Sequence, residues 1–149
     1  MTMTAAPEPA GGVGLTADDL ALVDAARSAR AGAYVPYSRF RVGAALRTTD
    51  GTVITGANVE NAAYPATICA ERVALTYAVT HGRRSFATLA VMGTGPVVCT
   101  PCGTCRQVLY EFAPDLVVLA AGDGGAVERY VLRDDLLPHG FGPDALVQS

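Results

Sequence analysis

Residues 41–59, RVGAALRTTDGTVITGANV, decide the fold. Val42, Ala44 and Leu46 alternate with Gly43, Ala45 and Arg47, which is the period-two pattern of a strand with one buried face. TTDGT then turns the chain, and VITGANV runs back. The stretch predicts a β-hairpin.

Upstream of the hairpin, YVPYSRF (34–40) reads as an extended loop broken by Pro36. Before it, Thr16 followed by ADDLALVDAARSARAGA predicts an N-capped helix, with acids near its start and arginines toward its end. The first fourteen residues, MTMTAAPEPAGGVG, are rich in Ala, Pro and Gly and are expected to be a disordered tail, leaving 15–149 as one domain.

Downstream, NAAYPAT (61–67) is a loop that delivers the chain to a helix from Cys69 to His81, with Gly82 as its stop. FATLAVMG is a strand, CGTCRQVLYEF a helix closed by Pro114, LVVLAA a buried strand, and VERYVL an edge strand. DDLLPHGFGPDAL ends the chain as a short helical turn and tail. The order α-β-β-α-β-α-β-β places the chain in the α/β class, as one mixed sheet with helices packed on its faces.

Half of the 149 residues are hydrophobic and the mean hydropathy is +0.29, yet no apolar run approaches the ~18 residues of a membrane helix. Such an oily domain has either a large core or a surface covered by other subunits, and the sequence favours an oligomer. All eleven basic residues are arginine. Without lysine, Schiff-base chemistry and a P-loop phosphate site are excluded. The net charge is −3 and the arginines are scattered, so no basic stripe exists for nucleic acid, and a small-molecule substrate fits better. The N-terminus lacks the pattern of a signal peptide, which points to the cytoplasm. In that reducing setting, four cysteines suggest metal binding or catalysis rather than disulfides.

Those cysteines fall at 69, 99, 102 and 105. TICAERVAL (67–75) opens an otherwise apolar helix with Cys69, Ala70, Glu71 and Arg72. PCGTCRQVL (101–109) opens another with Cys102 and Cys105. Three readings compete. A C-x-x-C at a helix start is also a redox signature, but it leaves Cys69 and Glu71 unexplained. Four thiolates could close a structural zinc cage, which gives Glu71 no role. A catalytic zinc with three thiolates and an open position accounts for both.

Residues two apart in mid-helix point about 200° away from each other. In the first turn, side chains lean toward the N-terminus, so Cys69 can hold a metal beyond the helix end while Glu71 reaches it too. Two helix N-termini, Arg72 and Arg106 would then offset the negative charge of three thiolates.

Taken together, YVPYSRFRVGAAL, GANVENAAYP, TICAERVAL, PCGTCRQVL and LLPHGF resemble the small homotetrameric zinc-dependent cytidine deaminases, from about Tyr34 to Phe141. The resemblance implies a three-layer α/β/α sandwich around a mixed five-stranded sheet, and hydrolysis of cytidine and deoxycytidine to uridine and deoxyuridine with release of ammonia, a step of pyrimidine salvage. It implies one Zn2+ per chain on Cys69, Cys102 and Cys105, with Glu71 as proton shuttle and the Ala70 N–H holding the base. Asn58 and Glu60 match residues that bind the ribose 3′-hydroxyl, and Phe40 matches an aromatic packed against the base. Ala62, Tyr64 and Phe141 match positions that reach a neighbouring subunit's pocket, which makes each active site composite. Cys99 departs from the pattern and reads as a small buried hydrophobe. A blasticidin-type deaminase of a modified cytosine nucleoside and the four-cysteine structural module are the alternatives.

Overall fold

Thr16 caps the first helix as the sequence predicts. Its backbone N–H donates to Asp19 Oδ2 and its hydroxyl accepts from the Asp19 N–H, both at 3.1 Å, which satisfies two donors of the helix start. This helix, α1 (Ala17–Ala29), buries Leu22, Val23 and Ala26 along one face. The computed structural model describes residues 14–146, so the expected tail lies outside the described residues apart from Gly14.

The hairpin forms as expected. Strands β1 (Val42–Thr48) and β2 (Val53–Ala57) pair antiparallel, with Ala45 opposite Thr55. Gly51, at φ +89°, takes the left-handed turn that the return requires. Next come α2 (Ala70–Thr80), β3 (Phe86–Gly93), α3 (Gly103–Tyr110), β4 (Val117–Ala121) and β5 (Val127–Val131). The sheet order is β2-β1-β3-β4-β5, and only β3 and β4, joined through α3, run parallel. A π-helical turn (Leu132–Leu136) and a short 3₁₀ turn (Pro143–Ala145) follow.

Strand alternation sorts the core into two halves. Ala45, Ala90, Met92 and Leu119 face α1. Ala44, Leu46, Leu89, Val91 and Val118 face Ala74 and Leu75 of α2 and Leu109 of α3. The result is the expected three-layer α/β/α sandwich with a mixed five-stranded sheet. Helix α2 seats close because β2 offers Gly56 beneath it: a Cβ there would lie 2.4 Å from the Ala70 carbonyl oxygen. That contact sets the start of α2, and with it the position of Cys69. The predicted helix limits differ at α1, which ends at Ala29 and tightens into a 3₁₀ turn over Arg30–Gly32 rather than running on to Ala33, and at α3, which ends at Tyr110 rather than Phe112. Pro114 disfavours helical geometry at Ala113, so the chain tightens there.

Candidate metal centre and the neighbouring cleft

Cys69 and Cys102 each occupy the residue just before a helix, and neither uses its side chain as a cap. Serine, threonine or aspartate at such positions normally turns back onto the helix N–H groups. Here the sulfurs are left for another partner. Cys105 adds a third from the first turn of α3. The Sγ atoms of Cys69 and Cys102 stand 3.8 Å apart, and all three sulfurs lie within 4.8 Å of one another.

Thiolates bound at about 2.3 Å around a tetrahedral zinc would be separated by about 3.8 Å. The donor set therefore fits zinc, with a fourth position left for another ligand. Cys99 is not part of the group. Its side chain is packed near the Phe40 ring over Gly93, where a Cβ would meet Phe40 Cζ at 2.8 Å and Cys99 Cβ at 2.9 Å. Burial, followed by the negative charges of Glu71 and Cys69, pushes its thiol up to about 11. The geometry does not form a four-thiolate cage.

The thiols of the cluster differ in how readily they ionise. A hydrogen bond from Cys105 draws Cys69 down to about 5 against the cost of burial, and Arg72 adds to it, its NH2 lying 3.5 Å from the sulfur. Cys105 is pushed up, first by that hydrogen bond to Cys69 and then by burial. Arg72 also donates to the Thr67 carbonyl (3.3 Å), and its Nε is buried without a hydrogen-bond partner among the described residues. Arg106 does not serve the sulfurs as expected. Its guanidinium is used on the Pro101 and Leu136 carbonyls and the Thr100 hydroxyl, because these surround it as the chain enters α3.

Glu71 is 4% exposed. Burial raises its carboxyl to about 7; its own backbone N–H and Arg72 oppose the shift, and the charge of Cys69 adds to it. Near neutrality such a group can both accept and release a proton. Ala70 beside it is fully buried, and as the first helical residue it has no partner for its N–H within the helix.

A cleft of about 440 Å³ is lined by Tyr37, Ser38, Glu60, Tyr64 and Thr67. That lies within the roughly 300–1,000 Å³ of small-molecule sites. Thr67 joins it to the metal cluster through the Arg72 contact. Glu60 takes hydrogen bonds from the Tyr37 N–H (2.9 Å) and the Ser38 N–H (3.2 Å); the Ser38 hydroxyl first, and then these two N–H groups, hold its carboxyl below the ordinary range against the cost of burial.

Of the predicted substrate residues only Glu60 and Tyr64 line this cleft. Asn58 is a backbone clamp, accepting from the Val42 N–H and donating to the Phe40 carbonyl, each at 2.9 Å. Tyr64 is 72% exposed and meets Tyr37 edge-on, with ring centroids 6.0 Å apart. Ala62 is exposed, and Phe141 stands at the surface against α3. Tyr37, Ser38 and Thr67 were not singled out from the sequence, although they lie in the segments YVPYSRF and NAAYPAT.

Residues 16–121 match the family model described as the cytidine and deoxycytidylate deaminase zinc-binding region. A cytidine deaminase of Halalkalibacterium halodurans is 48% identical over 121 residues, covering 80% of this chain and 91% of the relative. One from Mycobacterium tuberculosis is 48% identical over 122 residues, covering 81% and 87%. The crystal structure of cytidine deaminase from Burkholderia pseudomallei superimposes with a TM-score of 0.79 at 47% identity, covering 85% of this chain and all of the other. With three thiols gathered at two helix starts and a match across most of its length, the chain belongs to the cytidine and deoxycytidylate deaminase zinc-binding family.

Proposed function

We propose that the protein hydrolyses cytidine and deoxycytidine to uridine and deoxyuridine, releasing ammonia. The observation that carries this reading is the buried Glu71 carboxyl, two residues after Cys69 at the mouth of the three-thiol cluster. Cys69, Cys102 and Cys105 would hold one zinc per chain, which would supply a Lewis acid able to lower the pKa of water toward neutrality. Glu71 takes the proton of the attacking water and delivers it to N3 of the ring, then takes the proton of the new C4 hydroxyl and passes it to the departing amine. Water adds at C4, the C4–N bond breaks, and the atoms balance as nucleoside plus water giving product plus ammonia. Arg72 offsets the negative charge of the thiolates.

The Ala70 N–H holds the base and the Phe40 ring packs against it. Glu60 accepts from the ribose 3′-hydroxyl, and the second Nδ2 hydrogen of Asn58 donates to it. Ala62, Tyr64 and Phe141 complete the pocket of a neighbouring copy in a homotetramer. Support for this comes from the exposure of Tyr64 and Phe141, from the half-hydrophobic composition, and from the resemblance. Four free cysteines suit a reducing cytoplasm, where the reaction serves pyrimidine salvage.

Loss of cytidine absorbance in the ultraviolet on adding zinc-loaded protein tests the reaction. No change with either nucleoside would overturn it. Reassembling Glu71→Ala chains with Phe141→Ala chains tests the composite site: recovery of activity above the parental average is expected, and the average alone would place Phe141 in its own chain's site.

A further inference from the structure

The last described segment of the chain is fastened to α3 by its backbone while the Phe141 side chain stays exposed. Arg106 NH1 donates to the Leu136 carbonyl at 2.9 Å, and Gln107 Nε2 donates to the Phe141 carbonyl at 2.8 Å. One turn further along the helix, Tyr110 lies against the glycines that flank Phe141. A Cβ on Gly140 would stand 2.7 Å from Tyr110 Cε2, and one on Gly142 would stand 3.1 Å from Cε1. A side chain at Gly140 would force the segment and the Tyr110 ring apart, and one at Gly142 would crowd the ring.

Despite this fastening, the Phe141 ring is 59% exposed. Ordering an exposed segment costs backbone entropy, and a ring left in solvent returns no burial to offset it. The contacts therefore serve to hold the ring in place for something outside this fold.

We infer that Gln107, Tyr110 and Gly140 are positioning residues that aim the Phe141 ring at the nucleobase. The helix that carries Cys105 thereby also orients an aromatic wall of the substrate site. The inference rests on the reading above that the Phe141 ring meets the base.

Gln107 is exposed, so Gln107→Ala leaves the core untouched. Losing one hydrogen bond of this kind is expected to raise KM for cytidine, and the Kd of the product uridine, by about three- to ten-fold. Turnover and zinc content should stay within about two-fold of the parent. Gly140→Ala, which forces Tyr110 and the segment apart, should raise both constants at least as far.

The deciding measurement repeats Gln107→Ala in a Phe141→Ala background, where it should add less than about two-fold, because the ring it aims is gone. An equal penalty in both backgrounds, or a fall in zinc content, would mean that Gln107 only supports α3 and would overturn the proposal. So would an unchanged KM in Gln107→Ala while Phe141→Ala is impaired, an outcome that leaves the Phe141 reading standing. Phe141→Ala with an unchanged KM would instead remove the base contact, and the proposal with it.

Discussion

Two helix starts in this molecule each bury a carboxylate in the first turn, and they use it in opposite ways. Asp19 of α1 and Glu71 of α2 are both 4% exposed. Asp19 is fully engaged: it accepts from the Thr16 N–H and pairs with Arg47 (3.5 Å) and Arg129 (3.7 Å). Those partners hold its carboxyl below the ordinary range even though burial pulls the other way. Glu71 makes no ion pair among the described residues, and burial lifts it to about 7. The capping residues differ in the same sense. Thr16 turns its hydroxyl back onto the helix, whereas Cys69 turns its sulfur toward two other thiols. A buried acid with partners is structure; one without them is available for chemistry.

The largest effect should come from exchanging the caps. Cys69→Ser installs a preferred N-cap residue while removing a soft ligand. Zinc and activity should both be lost, while the stability of the metal-free protein is unchanged or higher. Cys99→Ser should keep metal and activity. Metal analysis showing full zinc in Cys69→Ser would erase the distinction between the two helix starts.

Glu71→Gln tests the second difference. Turnover should fall by about 10²–10⁴ or more, since one group serves several proton transfers. Zinc content should hold, and thermal unfolding should come no earlier, because the variant removes a buried charge that lacks an ion-pair partner. Retention of more than about a tenth of the parental turnover would exclude Glu71 as the shuttle.

Most of the fold was legible because period-two alternation and turn residues are local signals. Val42, Ala44 and Leu46 gave the hairpin, and Thr16 gave the start of α1. The three-thiol cluster was legible because Cys69, Cys102 and Cys105 sit at helix starts, and a three-thiolate site accounts for Cys69 and Glu71 where a redox pair does not. What stayed hidden depended on partners far apart in sequence. Arg106 resembled a countercharge from its place beside Cys105, and only the fold shows it bound to Leu136 thirty residues on. Asn58 carried no sign that both its polar atoms hold the start of β1 and the loop before it. The cleft residues Tyr37, Ser38 and Thr67 converge through Glu60 and the 3₁₀ turn at Tyr64–Ala66, which no periodicity announces.

Asp19→Asn is a smaller perturbation. It leaves Arg47 and Arg129 without a carboxylate partner and weakens the cap at Thr16. Hydrogen bonds to a charged group contribute about 1.5–3 kcal/mol, so denaturant unfolding should show a loss near the lower end of that range, since both arginines reach solvent. The ratio kcat/KM should be unaffected. A catalytic defect as large as the stability defect would mean that the two acids do not divide the work as described.

The smallest effect is the pH dependence of that loss, and its sign is fixed by the contacts. Burial alone would raise the Asp19 carboxyl, but the Thr16 N–H and hydroxyl, Arg129 and Arg47 outweigh it and set the folded-state value below that of the unfolded chain. Folding then favours the ionised form. The resulting stabilisation is fully present above the unfolded value, near about 3.9, and is lost as the pH falls through the lower folded value. Asp19→Asn has no such titration. The stability gap between parent and variant should therefore be constant from about pH 7 to 5 and narrow steadily below about pH 4. If equilibrium unfolding shows the gap widening on acidification, Asp19 is held by burial rather than by its partners, and it is the same kind of acid as Glu71 after all.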